Sequence, residues 1–471
     1  MSPTVGLLLA YAGLLVAAGA WVARRVRRSG DFFVASRALP TGAVFATLLA
    51  ANIGAGSTVG ATGLGYRHGL SAWWWSGSAA LGCLVLGTLV APRLHRLARE
   101  HGFFTVGDFL EWRFDRSVRV LVSGILWLGT LSLLAGQLIA MARALEAVTG
   151  LPRAAGALAS SLVLVLYFAG GGLLASAWVN VLQLGTLLVG FALAVPFAWR
   201  AAGGWPAIAA AGGPGRPDYG SLSGMGLAGI LGLVVVFVPS FVVSPGLVQK
   251  TFGARGPSQA RRAVLWNALG LAAFAFVPGV LGMSMRAIRP DLANPELALP
   301  LLATDVLPPW IGGLTLAALF AAEISTADAV LFMLSTSLSR DLYQALLRPA
   351  ADDARLLRVG RLAAALGGAL AVGLALVLPS VATALTLFYG VMTAALFVPL
   401  LAGLLSRRPG AFHARAAVAV SIALTIGLRL AGSGQSWAAW LPSLAGIAGA
   451  TLVVATAWLS PARAGHGPER S

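Results

Sequence analysis

Apolar stretches of roughly 20 residues recur along the whole chain, and only short polar loops separate them. A stretch of this length crosses the ~30 Å of hydrocarbon in a bilayer as an α-helix. The pattern therefore predicts an all-α polytopic membrane protein with about thirteen transmembrane helices. We place these spans near 5–22, 41–64, 71–91, 118–142, 154–170, 177–199, 225–247, 263–284, 310–337, 360–379, 383–405, 412–430 and 438–459.

The amino-acid composition also indicates a membrane protein. Charged residues make up only 10% of the 471 residues and hydrophobic residues 58%, whereas a soluble domain carries about a quarter charged residues. The net charge of +17 does not indicate a nucleic-acid partner, because the basic residues are scattered between the spans. The single cysteine, Cys83, excludes an internal disulfide. The expected partners are membrane lipid and small solutes, and no obligate protein partner is evident.

Arginines concentrate in alternate loops, which marks those loops as cytoplasmic. With thirteen spans, this puts the N-terminus outside and the C-terminus in the cytoplasm of a cell (inner or plasma) membrane. Two of the arginine-rich loops, 93–116 and 340–361, also carry large apolar side chains, and we predict that they are amphipathic segments at the membrane interface. Plain solvated linkers are the alternative for both loops.

The whole chain, 1–471, is predicted to be one integral-membrane transporter domain. Residues 1–40 would add an N-terminal span and a cytoplasmic loop to a core at 41–405. Two C-terminal spans and a short cytoplasmic tail would follow at 406–471.

Two spans are interrupted by residues that break helices. The second span contains Gly54, Gly56 and Gly60 among small polar residues, and the seventh contains Pro239 and Pro245. Irregular backbone is tolerated inside a membrane only where it is buried in protein or lines a cavity, so these breaks indicate a site. Two broken spans five helices apart predict an inverted repeat of five-helix halves, in which core helices 1 and 6 are broken.

The ninth span carries adjacent hydroxyl groups on Ser325 and Thr326, and Ala322 lies one turn earlier. A hard cation such as Na⁺ prefers oxygen ligands, which hydroxyls and the free carbonyls of an unwound helix supply. Ala50 and Ile53, at the break of the second span, are placed to offer such carbonyls. We therefore predict a Na⁺ site between the second and ninth spans.

The same apolar helix contains two carboxylates, Glu323 and Asp328. An ionisable group inside a span is a functional hypothesis by default. At ~100° per residue, Asp328 lies near Ser325 and well away from Glu323, so the two carboxylates are expected to have different roles. A structural role, in which the carboxyl group is protonated or hydrogen-bonded, remains the alternative for each.

Together these segments resemble the sodium:solute symporter family, whose members include sodium-coupled carriers of proline, pantothenate, sialic acid and glucose or galactose. The resemblance covers nearly the whole chain and implies the five-plus-five inverted-repeat transporter fold, with the second to eleventh spans as its core. The segments that carry it are 30–37, the glycine-rich break with Gly65 and Tyr66, Gly171 to Gln183, Ser244 to Lys250, and Ala321 to Tyr343.

By position, the resemblance places the family's common sodium site on the carbonyls of Ala50, Ile53 and Ala322 and the hydroxyls of Ser325 and Thr326. Solute contacts of the sugar carriers fall on Asn52, Ser57, Ser76, Phe237 and Ser240. Serine stands at 57, 76 and 240 where those carriers have glutamine, glutamate and tyrosine, so most of the side chains that bind a sugar are absent. A smaller pocket, walled by Trp73, Trp74, Trp75, Phe237, Phe241 and Tyr389, favours an amino acid or a monocarboxylate over a sugar. The alternative for the three tryptophans is an aromatic belt at the membrane interface, because they lie near the end of a span.

One departure from the family concerns a second cation. The family usually has an aspartate where Asn180 stands, and in some members it helps to hold a second sodium beside the ninth span. Here Asp328 occupies a ninth-span position where that site uses a hydroxyl. A second cation or proton site formed by Asn180, Ser325 and Asp328 is therefore implied, either with exchanged ligands or with Asp328 as a proton carrier.

The sequence predicts a secondary active transporter that couples Na⁺ to symport of a small organic solute by alternating access. No constellation of a nucleophile with a base is present, so we do not expect an enzyme. The alternatives are a proton-coupled symporter that uses Glu323 or Asp328, and a non-transporting sensor with the same fold. We expect no signalling domain after Pro461, which disfavours the sensor.

Overall fold

The computed structural model describes residues 37–168, 172–432 and 435–459, together with the isolated positions 13 and 17. These residues form helices and connecting loops. Their only β-type pairing is an isolated bridge between Leu39 and Ala254. The predicted first span, 5–22, and most of the segment 30–37 lie outside the described residues.

The first half of the described chain holds five membrane passes. Its helices are α1 (Thr41–Asn52), α2 (56–68, a π-helical turn at Gly56–Gly60 continued by Ala61–His68), α3 (69–101, including Trp73–Val85 and Ala91–His101), α4 (Val106–Arg113), α5 (Arg116–Thr149), α6 (Arg153–Phe168), α7 (Gly172–Ala201) and α8 (Gly204–Ala210).

The second half holds the remaining passes, and short helical turns at 295–306 connect two of them. Its helices are α9 (Gly226–Val243), α10 (Pro245–Phe252), α11 (Pro257–Ile288, bent near Ala275), α12 (Pro309–Gln344), α13 (Asp353–Val377), α14 (Val381–Leu405), α15 (Ala411–Ala431) and α16 (Leu441–Trp458).

Ten apolar helices in the described residues are long enough to cross a membrane, and two shorter apolar helices accompany them. The longest, Gly56–His101, has 46 residues, or about 69 Å. It crosses twice because the chain turns at Gly69, whose φ is +70°. Helices α1 and α2 together make one interrupted pass, as do α9 and α10. The passes correspond to the second to thirteenth predicted spans.

The two five-pass halves pack on each other reciprocally. Helix α1 of the first half packs on α11, the second pass of the second half, and α9 packs in the same way on α3. The third and fifth passes repeat the exchange, since α5 packs on α14 and α12 packs on α7. This reciprocity is what a two-fold axis in the membrane plane produces, and it confirms the predicted inverted repeat.

The loops predicted at 93–116 and 340–361 are more helical than we expected. Helix α3 continues to His101, α4 fills much of the first loop, and α12 continues to Gln344. The reason is a cluster of charges at one end of the bundle. The Arg119 guanidinium on α5 lies 2.7 Å from Asp108, 2.6 Å from Glu111 and 2.9 Å from Asp341. Because one guanidinium binds all three carboxylates, the polar segments can remain helical beside the core.

Helices α2 and α11 cross with their backbones in contact. A Cβ atom on Gly282 would overlap the Thr62 carbonyl oxygen and lie 2.6 Å from the Tyr66 amide nitrogen, and one on Gly65 would lie 2.7 Å from the Gly279 carbonyl oxygen. Small residues allow such close approach inside membranes, where packing drives helix association.

We expect Gly282→Ala to destabilise the protein by about 1–3 kcal/mol, because the new methyl group meets backbone that cannot move aside. Gly427→Ala on α15 is the matched control, since nothing lies within 4 Å of its Cβ position. The measurement is the midpoint of thermal unfolding in detergent, followed by intrinsic fluorescence. Equal midpoints for the two variants would contradict the close crossing of α2 and α11.

Candidate functional site

The break in the first core pass exposes backbone carbonyls in the middle of the bundle. The last helical bond of α1 runs from the Ile53 amide to the Leu49 carbonyl, 3.0 Å away. The carbonyls of Ala50 and Ala51 therefore have no helical donor. They receive side chains of α12 instead: the Ser325 hydroxyl lies 2.7 Å from the Ala50 oxygen, and the Thr326 hydroxyl lies 3.1 Å from the Ala51 oxygen.

Ser325 joins two carbonyls that belong to different helices. Its hydroxyl oxygen lies 2.7 Å from the Ala50 oxygen on α1 and 2.9 Å from the Ala322 oxygen on α12. A carbonyl oxygen has two lone pairs and the hydroxyl has one hydrogen to donate, so lone pairs of this cluster remain available to another ligand. Ser325, Ala50 and Ala322 are fully buried, and the negative end of the α1 dipole points at them. Such a cluster suits a cation, and Ile53 lies buried directly beyond it.

Gln137 on α5 was not identified from the sequence, although it is a polar residue inside an apolar span. Its side-chain oxygen accepts a hydrogen bond from the Ala55 amide at 2.9 Å, which satisfies a free N–H group at the start of α2. Gly54 packs between Gln137 and Thr326. A Cβ atom there would overlap the Thr326 hydroxyl and lie 2.8 Å from the Gln137 oxygen.

Glu323 also contacts the broken pass, through Thr58. The Thr58 hydroxyl oxygen lies 2.7 Å from a Glu323 carboxyl oxygen and 2.9 Å from the Gly54 carbonyl oxygen. One hydroxyl hydrogen cannot serve both acceptors. A protonated Glu323 resolves the conflict, since it donates to Thr58 while Thr58 donates to Gly54. This geometry supports the structural role for Glu323.

A small cavity adjoins Thr326 on the side of the α1–α2 break. Its volume is about 20 Å³, counted as space open to the centre of a water molecule. That is room for one or two waters, so a solute requires the surrounding helices to separate. Of the seven predicted solute contacts, six line it: Asn52, Ser57, Ser76, Phe237, Phe241 and Tyr389.

The seventh, Ser240, does not line the cavity. Its hydroxyl lies 2.6 Å from the Val236 carbonyl oxygen and 2.7 Å from the Tyr389 carbonyl oxygen, so it joins α9 to α14. Its role as a solute contact stays a prediction.

Aromatic rings close one side of the cavity. The Phe237 ring lies 4.7 Å from the rings of both Trp75 and Tyr389, measured between centroids. Trp75 is therefore part of the wall. Its neighbours Trp73 and Trp74 are not, since their indole N–H groups donate to the carbonyls of Ala272 and Leu222.

Asn52 also has a structural partner. Its side-chain nitrogen donates to the Asn267 side-chain oxygen at 3.0 Å, and Asn267 donates to the Cys83 sulfur at 3.3 Å. These bonds link the α1 break to α11 and α3. Asn267 is a further residue that the sequence did not single out.

The second predicted cation position contains a charged residue that we did not foresee there. Asn180 donates to the Thr47 hydroxyl at 2.8 Å, and the Lys250 ammonium donates to the Thr47 carbonyl at 2.9 Å. Lys250 also interacts electrostatically with Asp328. The signal was present in the sequence, since Lys250 is its only lysine.

Two further cavities continue from the first toward the Arg119 cluster. One of about 50 Å³ shares Asn52, Thr326 and Tyr389 with it, and another of about 40 Å³ reaches Asp341. Met333 lines both of these and separates them. These small cavities therefore lie on the side of the interior that the arginine pattern predicts to be cytoplasmic.

At the opposite end of the bundle, the loop before α12 is hydrogen-bonded to the start of α14. The Glu296 carboxylate accepts a hydrogen bond from the Val381 amide at 2.7 Å, which ties this loop to the start of α14. Burial raises the pKa of Glu296 above its ordinary value, while the Val381 amide opposes that shift.

Two interrupted passes in an inverted repeat, with a buried oxygen cluster and a cavity at the break, define a multi-pass secondary transporter. Comparison with known families places it more closely. The model of the sodium:solute symporter family matches residues 32–211 and 226–417, and the chain belongs to that family. It is thus a transporter rather than an enzyme, and Na⁺ is its coupling ion.

Carriers of different solutes are similar in sequence to most of this chain. The sodium/pantothenate symporter of Escherichia coli (strain K12) is 30% identical over 441 residues, covering 89% of this chain and 88% of that one. The sodium/glucose cotransporter of Vibrio parahaemolyticus is 28% identical over 392 residues, covering 75% and 71%.

Solved structures share the fold. A Na⁺-coupled sialic acid symporter in a substrate-bound, outward-open state superposes with a TM-score of 0.83 at 18% identity, covering 98% of both chains. Mhp1, a nucleobase-cation-symport-1 family transporter in a closed conformation, gives 0.61 at 15% identity, covering 90% of this chain and 94% of that one.

We expect Gly54→Ala to weaken Na⁺ binding at least tenfold, because its methyl group overlaps the Thr326 hydroxyl. Gly42→Ala on α1 is the matched control, with nothing within 4 Å of its Cβ position. The measurement is the Na⁺ concentration that half-saturates binding of ²²Na⁺ to purified protein. Equal values for the two variants would show that Gly54 does not shape the ion site.

Proposed function

We propose that this protein carries out Na⁺-coupled symport of a small organic solute, an amino acid or a monocarboxylate, by alternating access. The transporting core is 41–405. Na⁺ binds to the carbonyls of Ala50, Ile53 and Ala322 and to the hydroxyls of Ser325 and Thr326. The observation that carries this site is the Ser325 hydroxyl, which lies within 3 Å of carbonyls from both α1 and α12.

Physical chemistry supports Na⁺ at this position. The candidate ligands are neutral oxygens, and carbonyls at the end of a broken helix coordinate Na⁺ in transporters. The cation would bind to the remaining lone pairs of these oxygens and interact favourably with the negative end of the α1 dipole. It would also join α1 to α12, so binding stabilises the conformation in which these helices are in contact.

The cavity supports a small solute. Its lining contains aromatic rings, small hydroxyls and two amides, but no charged side chain. A sugar presents many hydroxyls that each need a hydrogen-bond partner in a buried site, and this wall offers few. A carboxylate group fits better, because the positive end of the α2 dipole and the neighbouring Na⁺ both favour negative charge.

The topology follows from the arginine-rich loops. We propose that the N-terminus lies outside and the C-terminus in the cytoplasm of a plasma or inner membrane. In this orientation α1 and α10 lie on the cytoplasmic side of their breaks. Movement of these half-helices away from α12 would extend the cavities near Met333 into a cytoplasmic exit.

We expect the double substitution Ser325→Ala and Thr326→Ala to abolish Na⁺ binding, because it removes both hydroxyl ligands. The measurement is ²²Na⁺ binding to purified protein, with thermal unfolding as the test of folding. Thr315→Ala is the matched control, since that hydroxyl contacts only the Ile311 carbonyl of its own helix. Retained Na⁺ binding in the double variant would overturn the site.

The solute can be identified by thermal-shift screening of amino acids, monocarboxylates and sugars with and without Na⁺. We expect an amino acid or a monocarboxylate to raise the unfolding midpoint only when Na⁺ is present. Phe237→Ala should abolish the shift because it removes part of the cavity wall, whereas Phe276→Ala, outside that wall, should retain it.

A sugar as the sodium-dependent ligand would contradict the proposed solute class. The ligand found in this way can then be reconstituted in proteoliposomes. Uptake driven by a pH gradient in the absence of Na⁺ would overturn sodium coupling and favour a proton carried by Glu323 or Asp328.

A further inference from the structure

Lys250 is a buried cation beside the proposed sodium site. It lies near the end of α10, and only 1% of its surface is exposed. Its ammonium group donates to the Thr47 carbonyl at 2.9 Å and interacts electrostatically with Asp328. An isolated charge in such a place is costly, so its partners must hold it there.

The groups around the Lys250 ammonium lie one helical turn from the proposed sodium site and resemble it. Thr47 precedes Ala50 by three residues on α1, and Asp328 follows Ser325 by three residues on α12. Because the two helices run in opposite directions, both steps lead the same way, by about 4.5 Å. The same pair of helices thus presents a second set of oxygens: the carbonyl of Thr47 and the carboxylate of Asp328.

We call this second set of oxygens, with the side chains around it, the second layer. Its charges balance with a single cation. Asp328 supplies one negative charge, whereas Asn180 is a neutral amide whose nitrogen donates to the Thr47 hydroxyl at 2.8 Å. The Lys250 ammonium supplies the compensating positive charge. A further Na⁺ in this layer would leave an excess positive charge buried between α1, α10 and α12, which the low dielectric of the bundle disfavours.

Lysine is chemically suited to place a fixed positive charge among these oxygens. All other basic residues of the chain that carry a permanent charge are arginines. An ammonium group is a compact point charge with three donors, whereas a guanidinium is a planar fork. Lysine is therefore the basic side chain that best replaces a single metal ion among oxygens.

We propose that the Lys250 ammonium is a resident cation that occupies the second cation position, so that the transporter binds a single Na⁺. The inference rests on the proposed function for its first ion site. It assigns Asp328 to the lysine, rather than to a second Na⁺ or to a transported proton.

The test is the stoichiometry of ²²Na⁺ binding to purified protein, with Na⁺ alone as the probe. Wild type is expected to bind one Na⁺ per chain. Lys250→Gln removes the buried positive charge that offsets the Asp328 carboxylate, and the stoichiometry should rise to two. The double variant Lys250→Gln with Asp328→Asn removes both charges and should return to one.

Two Na⁺ per chain in the wild type would overturn the inference, whether or not the variants fold. So would a folded Lys250→Gln that still binds one. The double variant remains informative if the single one is unstable, because its buried layer is neutral. Failure of the first ion site gives a different result. A wild type that binds no Na⁺ overturns the proposed function. If Lys250→Gln then binds one Na⁺, the resident cation is still supported.

Discussion

The structure depends on how the backbone groups at the break in the first core pass are satisfied. Inside a membrane, no water is available for a carbonyl or an amide that leaves the helical pattern. At this break α12 supplies hydroxyls to the free carbonyls of α1, and α5 supplies Gln137 to a free amide of α2. The Ala50 carbonyl and the hydroxyls of Ser325 and Thr326 are also ligands of the proposed ion site. The chemistry that makes the interruption tolerable is thus the chemistry that attracts a cation.

Hydropathy and the helix-breaking residues were enough to predict the fold. Twelve of the thirteen predicted spans correspond to observed passes, and the remaining one lies outside the described residues. The ends were less predictable. The segments 93–116 and 340–361 contain more helix than their polarity suggested, because Arg119 binds not only the nearby Asp108 but also Asp341, 222 residues away in the sequence. A pairing of that kind has no local signal.

The candidate site was predictable in part. The hydroxyls of Ser325 and Thr326 stand out in an apolar span, and the break in the second span predicted the Ala50 carbonyl that Ser325 contacts. The contact of Thr326 with the Ala51 carbonyl was not predicted. Gln137 and Asn267 were also visible as polar residues within apolar spans, but nothing nearby in sequence indicated which backbone or side chain they meet. Lys250 was noticed as the only lysine, yet its relation to Asp328 depends on the path of α10 after its proline. Which residues of a helix face the break is decided by packing between distant elements.

The halves of the interrupted pass are held by different neighbours. Helix α1 contacts α12 through its free carbonyls and α10 through Lys250, whereas α2 is held by Gln137 and by Glu323. On the proposed site, two of the ion's three carbonyl ligands, those of Ala50 and Ile53, come from the end of α1, the half of the pass that lines the inner cavities. Any swing of α1 that widens those cavities also pulls carbonyl ligands away from the ion. Opening of the inner path and loss of the ion are then a single mechanical event, which leaves no conformation that is open inward and still binds Na⁺ tightly.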